Sequence, residues 1–484
     1  MLRQIKALSG QTLIYGFGQV LARSVTFLLL PLYTNLFTPA DYGTLSLAYA
    51  FMGFMVVLLH YGIDAALMKR YIQSDGADRQ SYFSTAWLSL LITAVAFALL
   101  VALFREALAG PVLGSGNGRF MVYLAVILAL DVMWSLPQLA LRSENRPLTY
   151  IGFSLLNVVL SLGLNLVFVL HLRWGVEGAL MSNLIASSVV FLVSLPIALR
   201  RLNFRRISRE HWRNLMRFGL PFLPAGLFAM LMELADRYLL RALTDVPTVG
   251  LYSAGHKLGT LMLLVVMAFN LAWHPFFLKQ GDQPGSPRLF ARVSTYVLAS
   301  LGLLWILMLV WVPHLVRLQV GPVSFYGPEY WQSVAIMPWI ALGYIGQAAY
   351  LLQMPGVFLK ERTRLVAVTR GAGAGVNIGL NLLLIPTYGA SGAAWASCSS
   401  FLLMALLFWL LTRRIYPIPY EWSRLARIAG SLALAATLYR FTDASLWRDV
   451  GLSLIYPALL LFSGFLSAEE WSFLKRRGSG ASSD

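Results

Sequence analysis

The sequence predicts an all-α integral membrane protein with about fourteen transmembrane helices: two six-helix lobes in pseudo-two-fold relation plus two C-terminal helices. Composition, the spacing of apolar runs and an internal repeat support this prediction. Of 484 residues, 58% are hydrophobic and only 12% are charged. The mean hydropathy is +0.68. A soluble domain carries about twice this charged fraction, so a water-soluble cytoplasmic enzyme is excluded.

The apolar runs define the predicted spans, because a helix needs about 20 apolar residues to cross a bilayer. They are 10–33, 43–66, 83–104, 120–141, 148–171, 176–199, 216–240, 249–273, 289–313, 331–353, 363–386, 390–412, 424–441 and 448–466. The opening residues 1–6 resemble the start of a signal peptide. However, no small-residue cleavage site follows, so we interpret the first run as a retained helix.

The distribution of Lys and Arg predicts the orientation. Connections on the side of the N-terminus carry most of these residues, above all the stretch 200–217 and the pair at 413–414. Both termini are therefore predicted to be cytoplasmic, which requires an even number of spans. The net charge of +17 follows from this topology and does not indicate nucleic-acid binding. The single Cys398 excludes a disulfide framework or a cysteine-based zinc site.

An internal repeat relates two halves of the chain. Residues 163–166 and 379–382 both read Gly-Leu-Asn-Leu, and each copy continues with Gly-x-x-Gly-Ala. The helix that follows ends in two arginines, at 200–201 and at 413–414. Spans 1–6 and 7–12 thus form two halves that enter the membrane from the same face. We expect an axis along the membrane normal between them, with a shared cavity.

This repeat sets the predicted domain boundaries. They are an N-lobe at 1–199, a basic cytoplasmic linker at 200–215, a C-lobe at 216–414, spans 13–14 at 415–477 and a disordered tail at 478–484. No connection is long enough for an extramembrane domain, so the function is expected to lie within the bilayer.

Arg23 is the first candidate site residue, because a lone charge at a helix centre costs about 2.5–3.5 kcal/mol on insertion scales. Gln11, Tyr15 and Gln19 precede it at four-residue intervals and form a polar stripe. Such a stripe is typical of a helix that faces an interior. The depth of Arg23 prevents snorkelling and its own helix offers no acid, so we predict a binding role.

Span 7 carries a second group of charges. Glu233, Arg237 and Arg241 follow at four-residue intervals, with Asp236 beside them, and Lys257 lies about two turns into span 8. Glu four residues before Arg is the favourable order for an intrahelical pair. Two interpretations remain open, namely a functional site and a structural cluster in which Glu233, Asp236 and Arg237 neutralise one another.

Two further charges have competing interpretations. Asp131, near the middle of span 4, either couples transport to an ion or bonds to a neighbouring helix. Arg370, about two turns into span 11, either faces the cavity or snorkels to the headgroups. Pro221 and Pro224 predict a kink in span 7.

Several catalytic motifs are absent from the sequence. It has no phosphate-binding Gly-x-x-x-x-Gly-Lys-Ser/Thr segment, so ATP is not expected as a direct energy source. It has no HExxH, no GxSxG and no acidic metal cluster, so neither a metal nor a cofactor is expected. A membrane polysaccharide polymerase or ligase would need a sizeable outer loop, which makes an enzyme the less favoured alternative.

The motifs resemble those of a known superfamily. They are the Asp-Arg-Tyr-x-Leu segment at 236–240, Val-Gly-Leu-Tyr-Ser-Ala at 249–254, the Asn- and Gly-rich segment 381–394, and the N-terminal stretch 31–43. Nearly end to end, the chain resembles the polysaccharide-export branch of the multidrug/oligosaccharidyl-lipid/polysaccharide (MOP) flippase superfamily. It looks like a Wzx-type flippase for undecaprenyl-pyrophosphate-linked oligosaccharide.

The resemblance implies a transporter of the bacterial inner membrane, with lobes around a cationic cavity that opens alternately to each side. Its partners would be the lipid-linked oligosaccharide, the bilayer and the polysaccharide polymerase machinery. Helices 13–14 are similar to those that form a lipid-tail groove in lipid II flippases. The implied substrate-binding candidates are Arg23, Arg237, Arg241, Lys257, Arg370 and Gln19, and the ion-coupling candidates are Asp131, Glu233 and Asp236.

Electrostatics favours an anionic substrate. An inside-negative potential drives a −2 pyrophosphate outward by roughly 4–5 kcal/mol per 100 mV, and the planar fork of Arg suits phosphate. The alternative within the superfamily is a cation-coupled multidrug exporter, which would have an acidic cavity and twelve spans.

Overall fold

The computed structural model describes residues 27–144, 146–281, 283–321, 323–362, 364–443, 445–466 and 470, without the side chains of Val320 and Val323. Within these residues the regular structure consists of helices and one short antiparallel strand pair, and ten helices are long and apolar enough to cross a membrane. The all-α membrane fold is confirmed. Arg23 and Gln19 lie outside the described residues, so their roles stay predictions.

The helices are α1 (Phe27–Leu36), α2 (Pro39–His60), α3 (Ile63–Gln73), α4 (Gly76–Leu103), α5 (Arg105–Val112), α6 (Gly118–Ser143), α7 (Pro147–Asn165), α8 (Gly175–Leu199), α9 (Arg209–Gly219), α10 (Leu223–Leu243), α11 (Val246–Gln280), α12 (Ser286–Arg317), α13 (Met337–Leu352), α14 (Met354–Phe358), α15 (Arg364–Thr412), α16 (Trp422–Phe441) and α17 (Leu446–Phe462). A π-helical turn, Leu166–His171, extends α7, and 3-10 segments cover Phe204–Arg206, Leu220–Phe222 and Pro328–Ile336. Strands β1 (Gln319–Val320) and β2 (Val323–Ser324) form the antiparallel pair.

Predicted spans 2 to 14 each coincide with helical structure. Spans 11 and 12 are the two arms of α15, which bends at Gly389, where φ is 54°. Glycine adopts this left-handed conformation without steric cost. We call the helix ends that the Lys and Arg distribution assigns to the cytoplasm the inner ends, and the opposite ends the outer ends.

Local sequence signals explain the outer starts of α2 and α11. The Thr38 hydroxyl accepts from the Asp41 amide, and the Asp41 carboxylate accepts from the Thr38 amide, each at 3.2 Å. This reciprocal capping box satisfies two amides that the helix leaves free. Asp245 caps α11 by accepting from the Thr248 amide at 2.8 Å. The hydrogen bonds from Thr248 also lower the pKa of Asp245.

The second span is interrupted where the sequence predicted a continuous helix over 43–66. Tyr61 and Gly62 both have positive φ, 33° and 79°. A Cβ at Gly62 would collide with the backbone of Gly219, so the chain turns at the point where two backbones touch. Helix α3 therefore begins separately at Ile63.

Short helical elements form the predicted linker and the start of the seventh span. Helix α9 begins at Arg209, so the predicted linker at 200–215 is partly helical. The 3-10 turn Leu220–Phe222, which contains Pro221, separates α9 from α10. The 3-10 turn thus lies at one of the two prolines where the sequence predicted a kink in span 7.

Helix α2 joins the two lobes. It packs against α10 and α11 of the C-lobe as well as against α6 and α8 of the N-lobe. At the outer ends the approach is closest at Gly43 and Gly250. A Cβ at Gly43 would meet the carbonyl oxygen of Val246, and one at Gly250 would meet that of Pro39. Only glycine permits backbones this close.

Hydrogen bonds add to this outer contact. The Tyr330 hydroxyl donates to the Phe37 carbonyl at 3.0 Å. The side-chain Nδ2 of Asn35 donates to the carbonyl of Ser324, in β2, at 2.9 Å. The strand pair thus helps to join the lobes at their outer ends.

The C-terminal pair α16–α17 packs on α12. Fully buried Asp449 of α17 contacts His314 at 2.6 Å and the Arg448 guanidinium at 2.7 Å. The Tyr456 hydroxyl donates to the Ala299 carbonyl at 3.0 Å. These contacts fix the pair to the C-lobe.

Candidate functional site

A cavity of about 340 Å³ lies between the lobes. Helices α1, α2, α7 and α8 of the N-lobe supply its wall, and α11 of the C-lobe contributes Lys257. The uncharged polar residues that line it are Tyr33, Tyr42, Ser46, Tyr49, Asn157, Ser161 and Asn183. Among the lining residues that the structure describes, Lys257 is the only one with a charged side chain.

Hydrogen bonds hold the polar wall in place. The Asn183 amide donates to the Tyr49 hydroxyl at 2.7 Å. The Tyr33 hydroxyl donates to Asn165 Oδ1 at 2.7 Å, and Asn165 Nδ2 donates to the Ser161 carbonyl at 2.7 Å. Hydroxyl and amide groups fixed in this way can both donate and accept, as the hydroxyls of a sugar require.

The ion pair between Asp236 and Arg237 in span 7 is buried in the C-lobe. Asp236, 1% exposed, forms an ion pair with Arg237 at 2.7 Å. The Tyr252 hydroxyl donates to the other carboxylate oxygen of Asp236. Arg237 also donates to the Glu233 carbonyl oxygen at 2.5 Å. In this conformation Asp236 and Arg237 neutralise each other, which is one part of the structural cluster that the sequence left as one of two interpretations.

Aromatic side chains complete this C-lobe cluster. The Tyr344 hydroxyl donates to Glu233 Oε1 at 2.9 Å. The His256 ring lies 5.7 Å from the Tyr252 ring and 6.2 Å from the Tyr344 ring. Lys257 follows His256 on the same helix, so the cluster and the cavity wall are adjacent. Ion coupling by Glu233 or Asp236 stays a prediction.

Asp131 bonds to its neighbouring helix. The Ser187 hydroxyl of α8 donates to it at 2.6 Å, and the Trp134 indole donates at 2.9 Å. Of the two interpretations of Asp131, the interhelical hydrogen bond is the one seen. A coupling role stays a prediction.

Arg241 and Arg370 lie away from the lining residues of the cavity. The Arg241 guanidinium donates to the carbonyl oxygens of Gly110 and Pro111 in α5, so it fastens the outer end of α10 to the other lobe. Partly buried Arg370 lies within electrostatic range of Tyr350. Binding of substrate by either arginine stays a prediction.

A search of the sequence for charged residues could not identify most of the residues that line the cavity. Tyr33, Tyr49 and Asn183 are uncharged, and isolated polar residues of this kind are common in transmembrane helices. Asn165 was visible as part of the repeated Gly-Leu-Asn-Leu motif, and the structure shows that it positions Tyr33. Within the described residues no group of three or more His, Cys, Asp or Glu side chains could hold a metal ion.

Comparisons with known proteins agree with this architecture. A family model described as "Polysaccharide biosynthesis protein" matches residues 9–280. The chain belongs to this family. A curated relative, the probable low-salt glycan biosynthesis flippase Agl15 of Haloferax volcanii, is 22% identical over 417 residues, which cover 82% of each chain.

Solved structures share the fold. The lipid II flippase MurJ in an inward closed conformation matches with a TM-score of 0.75 at 13% identity, covering 93% of this chain and 98% of its own. An inward-facing multidrug resistance MATE family transporter of the MOP superfamily matches with a TM-score of 0.65 at 14% identity, covering 84% and 96%. The fold is therefore that of the MOP superfamily, and the protein is a multi-pass membrane protein.

Proposed function

We propose that this protein is a flippase that moves a polyprenyl-pyrophosphate-linked oligosaccharide from the cytoplasmic to the outer leaflet by alternating access. The undecaprenyl carrier, the bacterial inner membrane and a role in O-antigen, capsule or exopolysaccharide assembly belong to the same proposal. So does cooperation with a polysaccharide polymerase. The protein would act as a transporter and catalyse no covalent step.

The composition of the cavity wall is the observation that carries this proposal. Lys257 offers a positive charge to a phosphate, and the surrounding tyrosine, asparagine and serine side chains offer hydrogen bonds to sugar hydroxyls. Because an anion leaves the cytoplasm down an inside-negative potential, a −2 headgroup would gain roughly 4–5 kcal/mol per 100 mV on export. The polyprenyl chain would stay in the bilayer while the headgroup crosses.

Replacing Lys257 tests this proposal. A hydrogen bond to a charged group contributes about 1.5–3 kcal/mol, so Lys257→Gln should slow flipping about tenfold or more. The measurement is the initial rate at which proteoliposomes expose a fluorescent polyprenyl-pyrophosphate disaccharide to an impermeant quencher. Lys257→Arg keeps the charge and should retain most of the rate.

Lys279→Gln provides the matched control, because Lys279 is an exposed residue near the inner end of the same helix. It should transport at the wild-type rate. If folded Lys257→Gln also transports at that rate, Lys257 does not bind the headgroup.

A multidrug exporter is the second candidate, favoured by the shared fold and by the two acids in the C-lobe cluster. Expression in an exporter-deficient strain separates the candidates. Resistance to cationic drugs conferred by the wild type would support the exporter. The flippase proposal expects no resistance and expects restored glycan assembly in a flippase-deficient strain.

A further inference from the structure

A second cavity, of about 180 Å³, lies at the inner end of the C-lobe. Helices α12, α13, α15 and α16 enclose it near their inner ends. Gln353 directly follows α13, Trp409 lies three residues before the end of α15, and Trp422 begins α16. The cavity therefore lies at the depth where headgroups meet acyl chains. It is separate from the cavity that contains Lys257, and no step above uses it.

Gln353 lines this cavity and carries a buried acceptor that no described residue satisfies. Its Nε2 donates to the carbonyl oxygens of Ala349 at 2.9 Å and Ala405 at 3.1 Å. Two carbonyls on one side fix which amide atom is the nitrogen. The opposite atom, Oε1, is buried and has no hydrogen-bond partner among the described residues, in a residue that is only 7% exposed. A buried acceptor left unpaired costs about 1–3 kcal/mol, so the geometry indicates a ligand that donates.

Tyr420 presents the complementary group. It lines the same cavity, and its hydroxyl is also buried and has no partner within the part of the chain that the structure describes. A hydroxyl both donates and accepts. A ligand group that can satisfy Tyr420 and Gln353 together must therefore carry both functions, as an alcohol does.

Aromatic rings and an arginine form the rim. Trp409 and Trp422 meet edge to face with centroids 5.1 Å apart, and the Arg413 guanidinium lies 5.1 Å from the Trp409 centroid. Among the described residues no acidic side chain forms an ion pair with Arg413. Indole rings favour the membrane interface, and a guanidinium there attracts phosphate.

We propose that this cavity binds an anionic phospholipid of the inner leaflet whose headgroup carries hydroxyl groups. The phosphate would face Arg413, a headgroup hydroxyl would donate to Gln353 Oε1, and the Tyr420 hydroxyl would donate to a lipid oxygen. The upper parts of the acyl chains would contact Leu352 and Leu425, which also line the cavity. This site is independent of the transport proposal.

Native mass spectrometry of the delipidated full chain tests the site. Dioleoyl phosphatidylglycerol has the phosphate charge and hydroxyl donors, whereas dioleoyl phosphatidylcholine has neither a net charge nor a donor. We expect the wild type to bind phosphatidylglycerol at least tenfold more tightly. Tyr420→Phe removes one hydroxyl and should weaken that binding about fivefold, the loss of about 1 kcal/mol.

Two further variants make the test independent of folding defects. Ala349→Leu places bulk in the cavity and should reduce phosphatidylglycerol binding to the phosphatidylcholine level. Tyr388→Phe, on an exposed tyrosine of α15 far from the cavity along the helix, should leave binding unchanged. Equal affinities for the two lipids in the wild type would overturn the proposal, as would wild-type binding by both Tyr420→Phe and Ala349→Leu.

Discussion

Asp236 and Arg237 lie next to each other in a transmembrane helix, and each depends on the other there. Without the Asp236 carboxylate 2.7 Å away, the positive charge of Arg237 would lack this ion-pair partner inside the C-lobe. The Tyr252 hydroxyl and the Glu233 carbonyl satisfy further oxygens and protons of the pair. Because breaking a buried pair leaves one charge uncompensated, losing one partner costs more than losing both.

This interdependence predicts a non-additive pair of substitutions. Asp236→Asn should destabilise the protein by about 3 kcal/mol, because it strands Arg237 in the C-lobe interior. Asp236→Asn combined with Arg237→Met should recover much of that loss. Thermal unfolding of the purified protein in detergent, monitored by tryptophan fluorescence, measures both variants.

The single variant Arg237→Met completes the double-mutant cycle for this pair. If the double variant is destabilised by the sum of the two single effects, the charges do not stabilise each other and the cluster is held together by packing.

At the level of single residues, the sequence predicted charges better than it predicted their partners. Lys257 was found from its position in an apolar run, and it lines the cavity. Arg241 was found by the same rule, yet its partners are carbonyls 130 and 131 residues away in α5. Spacing along one helix cannot reveal a partner in the other lobe. Tyr49 and Asn183 carry no charge and so gave no signal.

Helix α8 ends in one of the two repeated arginine pairs, and the structure explains why an arginine is suited there. Arg201 donates to both carboxylate oxygens of Glu144, at 3.0 Å and 2.6 Å, and the Tyr71 hydroxyl donates at 2.7 Å. This clamp joins the inner ends of α3, α6 and α8. Partial burial tends to raise the pKa of Glu144, but the hydrogen bonds from Arg201 and Tyr71 outweigh it and lower the pKa.

The clamp predicts different consequences for two adjacent arginines. Arg201→Gln should destabilise the protein by about 2 kcal/mol, because it removes a bidentate charged hydrogen bond. Arg200→Gln should have little effect, because Arg200 is exposed. Midpoints of thermal unfolding at pH 7 compare the two variants.

The same clamp sets a pH dependence. A carboxylate whose folded-state pKa is lowered stabilises the fold fully above its ordinary pKa, about 4.3, and this stabilisation is lost as the pH falls through the folded-state value. The difference in unfolding midpoint between the wild type and Arg201→Gln should therefore shrink below about pH 4. A difference that stays constant down to pH 3 would show that Glu144 is not its source.

Long elements were predictable and short ones were not. Apolar runs of about 20 residues leave little choice but a spanning helix. Helix α5 and the β1–β2 pair are too short for periodicity to define them. The break at Gly62 depends on contact with Gly219, 157 residues further along the chain, which no local pattern encodes.

The whole molecule has its lobes joined at their outer ends. Glycine contacts at Gly43 and Gly250 and the bond from Tyr330 to Phe37 close this side. Alternating access requires these contacts to separate when the cavity opens outward. Hydrogen bonds between described residues of the two lobes would have to break as well, donated by Asn35, Tyr238, Arg241, Gly327 and Tyr330.

Cross-linking the outer ends should stop transport. Asn35 and Glu329 face one small cavity of about 200 Å³ between the lobes. The only native cysteine, Cys398, is buried, so cysteines introduced at these two positions can be labelled selectively. A bis-methanethiosulfonate reagent on Asn35→Cys/Glu329→Cys should abolish flipping in proteoliposomes, and reduction should restore it.

Each single cysteine variant treated with the same reagent serves as the control and should keep its transport rate. Unimpaired flipping by the fully cross-linked protein would mean that these ends do not separate during transport.

The lobe architecture was predictable because the repeat is written in the sequence at 163–166 and 379–382. The relative position of the lobes was not. It depends on α2, which packs on helices of both lobes. A helix that serves two lobes carries no sequence pattern that separates it from one that serves a single lobe.

The attachment of α16 and α17 to α12 has a mechanical consequence. Because Asp449 and Tyr456 bind α16 and α17 to the C-lobe, both helices would move with that lobe as one body. The cavity lined by Trp409 and Trp422 would therefore keep its shape during the transport cycle. A lipid bound in this cavity would move with the C-lobe, and the motion that exposes the substrate to each side of the membrane in turn would not disturb it.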